Sequence, residues 1–366
     1  MELVNGVTGV AQKSEPHSQD EINELRKKQK ELESKLELTG RIIKAFRHGS
    51  MYPSTLYGLR STLDRLDAND RKDGLKGKEG EYLLSGGKLF GKTEQVGEGA
   101  IKRVYKAAYL DVLKGEQGVC TWIEPKPRVK QALVKECYDR LAKLEHKNIQ
   151  RPFSIWWDSS APRLIVLEKL RDTTLNGIAV PRAHVIPVVR QIVHAIAYLH
   201  KNLLLHGDIK LENILVSLEE ELVVHVTDFD CSEKLSDKRA RVKKQWGAVT
   251  HWSPECFLEQ KVGLKADVWA LALVVYQVLY RSFKDSKALE KFPPFVERAM
   301  KDVNWAEVNK GILPSIEEQN EIGMALCQGK IELDLPHHEL VQVIKLGLLV
   351  EDSRCTAEEF LKKIPS

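Results

Sequence analysis

Several things this 366-residue chain has little of narrow its class at once. Its six cysteines (Cys120, Cys137, Cys231, Cys256, Cys327, Cys355) are scattered, with no CxxC pair and no histidine at metal-ligand spacing. That pattern argues against a disulfide scaffold or a structural zinc site and fits free thiols in a reducing compartment. No apolar run approaches the roughly 20 residues that a helical bilayer span needs. The longest, VWALALVVYQVLY at 268–280, reads as a buried helix, so no membrane span is expected. A dense Lys/Arg block is also missing: 56 basic against 52 acidic side chains leave a formal net charge of +4, which gives no reason to favour nucleic acid as a partner. The first twenty residues lack a basic stretch followed by an apolar run, and Glu2 does not fit a myristoylation pattern, so a cytoplasmic location is the expectation. No internal repeat is found.

What is present is ordinary soluble-domain material, 43% hydrophobic and 30% charged. It is long enough for a two-lobed domain or two domains with a tail. Residues 1–20 are polar and aperiodic and read as a flexible tail. From 21 to 66, Ile22, Leu25, Leu32, Leu36, Ile43 and Phe46 fall on three- and four-residue steps, and Leu56, Leu59, Leu63 and Leu66 repeat the pattern after Pro53. This heptad-like spacing predicts a helical, coiled-coil-like extension. It fits either a surface for a partner or a second copy, or an extension packed on the main domain. Residues 67–87, dense in Gly, Asp and Lys, read as a linker. Strand-like segments follow (KTEQVGEGA, KRVYKAAYL, GVCTWIEP), and then helical periodicity near Val134 and again at Val185, Val189, Ile192, Ile196 and Leu199.

The segment with the most chemistry is LHGDIKLENILV, residues 205–216, followed at Asp228 by DFD. One loop holds a carboxylate (Asp208), a cation two residues on (Lys210) and a carboxamide five residues on (Asn213), and a second turn adds another carboxylate. Phosphoryl transfer from a magnesium nucleotide needs this set: a group to orient a hydroxyl and take its proton, a cation for the moving phosphoryl group, and oxygen ligands for a metal.

HGDIKLENIL, DFD, WGAVTHWSPE, KADVWALALVVYQVL and EDSRCTAEEFL resemble, in order and spacing, the catalytic loop, metal turn, P+1 segment, buried helix and closing Arg segment of eukaryotic-type protein kinases. The resemblance covers about 88–366. It implies an α+β, bilobal protein kinase fold, with a small β-rich N-lobe (88–168), a larger helical C-lobe (171–366) and the helical extension in front. It further implies Asp208 as catalytic base, Lys210 at the transferred phosphate, and Asn213 and Asp228 on magnesium. Glu255 and Arg354 become a structural ion pair, and His206 and Phe229 packing residues. LIVLEKL, 164–170, resembles the strand leading to the hinge, with Leu167 as gatekeeper and Glu168 to Leu170 offering backbone groups to adenine.

The stretch GEGAIKRVYKAAY, 97–109, departs from the usual pattern. The family's phosphate-binding lysine sits on the third strand, where this chain aligns Ile123. Lys102, on the second strand after Gly97 and Gly99, shares a face with Val104, the position that packs on adenine, and would enter the cleft from there. The arrangement is similar to that of the WNK kinases. A loop of the same GA-x-K type occurs in protein O-mannose kinase, but its expected membrane anchor is absent from this sequence.

Four further positions differ from the family. Cys137 occupies the site of the helix glutamate that pairs with the lysine, and Glu136, one residue and about 100° away, would serve only from a rotated helix. Gly207 replaces the arginine that grips an activation-segment phosphate. Asp230 replaces the last glycine of DFG and reads as the cap of a local turn. Ala248 replaces a threonine that contacts the catalytic residues. The basic run KRARVKK, 238–244, reads as a solvated loop or a contact for an acidic partner. Together these features imply ATP- and Mg2+-dependent transfer to Ser/Thr hydroxyls of protein substrates. A pseudokinase scaffold acting through a signalling partner, or a kinase for a non-protein hydroxyl, stays open beside it.

Overall fold

The computed structural model describes residues 82–85, 88–99, 101–111, 117–158, 163–169, 171, 173–218, 222–243, 247–284, 292–335 and 337–365. The tail, the helical extension, most of the linker and Leu170 lie outside the described residues. The architecture is α+β, with strands up to Lys169 and helices dominating after it. The first six strands are β1 (Tyr82–Ser85), β2 (Lys88–Glu98), β3 (Lys102–Asp111), β4 (Gln117–Pro125), β5 (Pro152–Asp158) and β6 (Arg163–Lys169). Among the described residues the chain divides into two compact units, the first within 82–94 and 107–119, the second within 95–106 and 120–365.

In the first unit β1 pairs antiparallel with the start of β2, Tyr82 opposite Gly91 and Ser85 opposite Lys88. Strand pairing therefore begins inside the segment read as linker. The Tyr-Leu-Leu triplet ahead of Gly86 and Gly87 has strand-forming composition that the surrounding polar residues hide. Phe90 is buried, its ring 5.8 Å from that of Tyr109, and the Lys88 ammonium lies 5.1 Å from the same tyrosine ring.

In the second unit β6 lies between β4 and β5, antiparallel to both, with Trp122 opposite Leu167 and Ile123 opposite Val166. A strand flanked on both edges and covered on both faces needs a continuous apolar run. Leu164, Ile165, Val166 and Leu167 supply it, none more than 2% exposed. Helix α1 (Gln131–Ala142) buries Val134, Tyr138 and Leu141, an i, i+4, i+7 stripe, and the Gln131 side-chain oxygen accepts the Leu164 N–H at 2.7 Å.

Beyond β6, α2 (Val185–Lys201) buries the whole stripe expected from the sequence, Val185, Val189, Ile192, Ile196 and Leu199. The longest apolar run lies within α4 (Leu264–Lys284), preceded by α3 (Pro254–Glu259). From Val268 to Tyr276 every α4 side chain is buried, so this helix is enclosed on all sides and anchors the lobe. Each large aliphatic side chain there contributes about 1.5–3 kcal/mol by leaving water. Five further helices complete the lobe: α5 (Pro294–Ala299), α6 (Trp305–Val308), α7 (Ile316–Gln328), α8 (Leu340–Gly347) and α9 (Ala357–Lys363). Capping boxes start α7 (Ser315 with Glu318) and α9 (Thr356 with Glu359). Between α2 and the antiparallel pair Ile214–Leu218 and Leu222–Val226 the chain turns through residues 206–213, which carry the site. Among the described residues no helix is long and apolar enough to cross a membrane.

Candidate active site

The loop after α2 is held from beneath by Asp267 of α4. Its carboxylate, 1% exposed, accepts the His206 N–H at 2.8 Å, the Gly207 N–H at 2.8 Å and His200 Nε2 at 2.9 Å. Burial alone would raise this carboxyl; the His200 hydrogen bond and the nearby imidazoles override it and hold it low. Gly207 has φ +77°, a left-handed conformation that glycine adopts without strain, so the residue replacing the family arginine suits the backbone here. His206 is fully buried, hydrogen-bonded through Nε2 to the Thr227 carbonyl and packed 4.9 Å from the Phe229 ring. Both residues are thus packing elements, as expected.

Asp208, 8% exposed, is fixed from three sides. Lys210 Nζ lies 2.8 Å from Oδ2, Asn213 Nδ2 donates to Oδ2 at 2.9 Å and to the Asp208 carbonyl at 2.7 Å, and the Ala248 N–H donates to Oδ1 at 2.7 Å. The main chain at Ala248 therefore supplies a positioning hydrogen bond in the absence of a threonine hydroxyl. Gly247 makes this approach possible: its φ is +92°, and a Cβ there would come within 2.7 Å of the Gly207 carbonyl oxygen. Burial pushes the Asp208 carboxyl up, but Lys210 and the Ala248 N–H outweigh it, so the group stays ionised at neutral pH.

Lys102 does enter this region. At 8% exposure its ammonium lies 2.7 Å from Asp228 Oδ1 and 3.1 Å from Asp230 Oδ2. Desolvation works against the charge, yet the amine is held well above its ordinary value. The Tyr138 phenol is held above its own ordinary range by burial, so the two carboxylates are what keep the amine charged at neutral pH. Asp228 sits at φ +62°, and Lys102 pulls its carboxyl down to about 2 against the effect of burial. Asp230 moves the other way, raised by burial and by the Asp228 charge beside it. Ile123, at the ordinary lysine position, is buried and apolar.

One open question is answered and one expectation needs correction. Glu136 points to solvent, because α1 turns its Val134, Tyr138 and Leu141 stripe inward and leaves Glu136 outside it. Cys137, in the glutamate's place, instead donates its thiol to the Phe229 carbonyl at 3.3 Å and lies 3.3 Å from Ser232 Oγ. Asp230 does not serve only its own turn: its side chain reaches across to Lys102, two residues past Asp228 on the same turn. The basic run also proves mixed. Lys238 and Arg239 are exposed, whereas Arg241 pairs with Glu259 at 2.7 Å and Glu351 at 3.0 Å.

Val104 is half-buried against the core, and Leu167 is fully buried. Glu168, 4% exposed, has its carboxyl raised to about 7 by burial, with Lys102 pulling it partly back. Gly99 donates its N–H to the Lys102 carbonyl at 2.9 Å and turns the loop. A Cβ on Gly97 or Gly99 would meet no atom closer than 3.8 Å. A side chain at either place would make ordinary contacts, so the protein's own packing does not require glycine there, and a glycine instead lets a phosphate approach the backbone closely. No cluster of three or more His, Cys, Asp or Glu side chains forms a ready metal cage among the described residues. Asn213 uses its amide nitrogen on Asp208, so its oxygen is the atom left for a metal. The sequence did not give away the Ala248 amide, the Tyr138 phenol or the reach of Asp230; only the unusual DFD itself marked the last.

Comparison with known proteins places the chain among protein kinases. The chain is 26% identical over 259 residues to the serine/threonine-protein kinase PLK4 of Drosophila simulans, covering 67% of this chain and 31% of that protein. It is 26% identical over 247 residues to the calcium/calmodulin-dependent protein kinase cmkA of Emericella nidulans, 63% of this chain and 58% of that one. It is 30% identical over 162 residues to calcium-dependent protein kinase 6 of Plasmodium berghei, 43% of this chain and 11% of the other. The chain spans less than two thirds of each relative's length. The family model described as the protein kinase domain matches residues 90–363, most of the chain, and the chain belongs to that family.

Proposed function

We propose that the chain transfers the γ-phosphoryl group of ATP to a serine or threonine hydroxyl of a protein substrate, using magnesium and a phosphate anchor relocated to the glycine-rich loop. The observation that carries the proposal is the Lys102 ammonium, buried and 2.7 Å from Asp228, coming from the strand that follows Gly97 and Gly99 while Ile123 holds the ordinary position. Gly97 and Gly99 approach the phosphates, Lys102 anchors them, Val104 packs on the adenine, and Glu168 to Leu170 offer it backbone groups. Asp208, kept ionised and aimed by three hydrogen bonds, takes the proton of the attacking hydroxyl as the new P–O bond forms and the β–γ bridging oxygen leaves. Lys210 offsets the charge of the moving phosphoryl group. Magnesium, held by Asp228 and the Asn213 oxygen, would neutralise phosphate charge when bound. The working domain is 88–366, in the cytoplasm, with the 21–66 helices as a contact for a partner or a second copy.

A second reading, a scaffold that binds nucleotide without turnover, is favoured by the exposure of Glu136, which leaves α1 without a carboxylate at Lys102. A third, transfer to a non-protein hydroxyl, draws on Ala248 in the substrate-facing segment. One experiment separates the first two. Thermal shift by ATP with and without magnesium is measured for wild type and Lys102→Ala, beside γ-phosphate transfer to a generic protein. Magnesium-dependent stabilisation and transfer, both lost in the variant, support the kinase; stabilisation with no transfer selects the scaffold.

A further inference from the structure

We infer that Asp230 is the positioning residue for Lys102, doing from the metal turn what a helix glutamate does in related enzymes. The inference deepens the proposed function and rests on Lys102 as phosphate anchor. A lysine that must meet phosphates in a fixed place needs a second carboxylate to hold it, since one used as a metal ligand has its negative charge committed elsewhere. Among the described residues, the acids near Lys102 leave a single candidate. Helix α1 carries only two: Glu136 faces solvent, and Asp139 is taken by Lys135 at 2.6 Å. Glu168 forms no ion pair with Lys102 among the described residues. Asp228 is the proposed metal ligand. Asp230, its side chain 15% exposed and 3.1 Å from the ammonium, remains.

The route by which the lysine is aligned changes accordingly. In a lysine–helix pair, swinging the helix outward breaks the contact. Here both carboxylates at Lys102 come from residues 228–230, so its alignment follows that turn and takes no charge from α1. Helix and turn are still tied to each other, by the Cys137 thiol on the Phe229 carbonyl, but no helix charge is at stake.

The test uses the full chain and two readouts, ATP affinity without and with magnesium, and magnesium-dependent γ-phosphate release. The variants are Lys102→Ala, Asp230→Asn, Asp230→Gly and Lys102→Ala with Asp230→Asn, each checked for unchanged thermal unfolding without nucleotide. Asparagine keeps the size of aspartate and its ability to cap a turn, and glycine restores the common turn residue. Both remove the charge. Each single Asp230 change is expected to weaken ATP binding about tenfold or more, whereas adding Asp230→Asn to Lys102→Ala changes it less than about twofold, because the two act as one unit. Wild-type affinity in Asp230→Asn, or an undiminished loss when Lys102 is already absent, overturns the inference. Lys102→Ala binding ATP as tightly as wild type removes the anchor reading and the inference with it. A loss in Lys102→Ala beside unaffected Asp230 variants removes the inference alone.

Discussion

Among the described residues, two ion pairs are of opposite design. Arg354 meets Glu255 with two N–H groups, at 2.6 and 3.0 Å, and spends further donors on the Leu349 and Lys265 carbonyls at 2.9 Å each. Its guanidinium also lies 5.2 Å from the Trp269 ring centre. The arginine is 2% and the glutamate 4% exposed, so the pair is saturated and sealed. Lys102 faces two carboxylates, and one of them, Asp228, keeps 31% of its side chain exposed. A saturated pair fixes a chain segment; an open one, with carboxylate oxygens still accessible, has capacity left for a ligand. Substitutions at the two places should therefore fail in different currencies, stability at the first and chemistry at the second.

The largest effect is expected beside the open pair. Asp208→Asn retains the size and most hydrogen-bonding capacity of the side chain but removes the proposed proton acceptor, and should lower γ-phosphate transfer about 10³-fold with little change in thermal midpoint. Initial rates and a melting curve on the same preparation check this. Unfolding in step with the lost rate would erase the distinction between the two sites.

At the sealed pair, Arg354→Ala leaves Glu255 buried without its partner and should cost about 3–5 kcal/mol of folding stability, read by denaturant unfolding. Glu255 also gives the pair a pH signature. Burial pushes its carboxyl up, Arg354 overrides that, and the folded-state value lies below the unfolded one. A lowered carboxyl contributes stability that is complete above the unfolded value near 4.5 and is lost as pH falls through the lower, folded one. The wild type should lose this contribution in acid, and Arg354→Ala should not.

Glu168 sharpens the comparison as a buried carboxyl that forms no ion pair among the described residues, Lys102 offsetting only part of its burial. Burial raises it to about 7, so the folded chain holds its proton where the unfolded chain has released it. The cost of ionising it is absent below the unfolded value near 4.5, grows with rising pH, and is complete above about 7. Glu168→Gln should therefore stabilise the fold by about 1–3 kcal/mol at pH 8, shrinking toward nothing near pH 4. Unfolding of both proteins across that range tests it, and a pH-independent difference would refute the buried-acid account.

The sequence made the catalytic loop legible because Asp208, Lys210 and Asn213 are local: a five-residue span sets their separation, and only the direction of the loop needs tertiary structure. The buried helix at 268–280 was equally plain from its unbroken apolar run. Lys102 was legible through strand alternation, since a residue two away from Val104 must share its face. What escaped depends on distances between segments far apart in the chain. Residues 102 and 230 have no periodic relation, so DFD looked like a local turn. The Ala248 contact is made by a backbone N–H, which every residue but proline carries and no pattern of side chains reveals. The strand at Tyr82–Ser85 was masked by the Gly, Asp and Lys around it, although its pairing with Lys88–Gly91 needs only a short reversal.

The smallest effect is expected at Glu136. If α1 had to lend a carboxylate to Lys102, Glu136→Ala would damage ATP binding as badly as loss of the lysine. The helix instead buries Val134, Tyr138 and Leu141 and leaves Glu136 in solvent. Turning Glu136 inward would rotate Tyr138 out of the core, at about 1.5–3 kcal/mol for a side chain of that size. Glu136→Ala should change ATP affinity less than about twofold and stability by no more than about 0.5 kcal/mol. Titration with ATP and a melting curve suffice. A loss of tenfold or more would mean that the helix rotates when nucleotide arrives and that its carboxylate, not the metal turn's, becomes the lysine's holder.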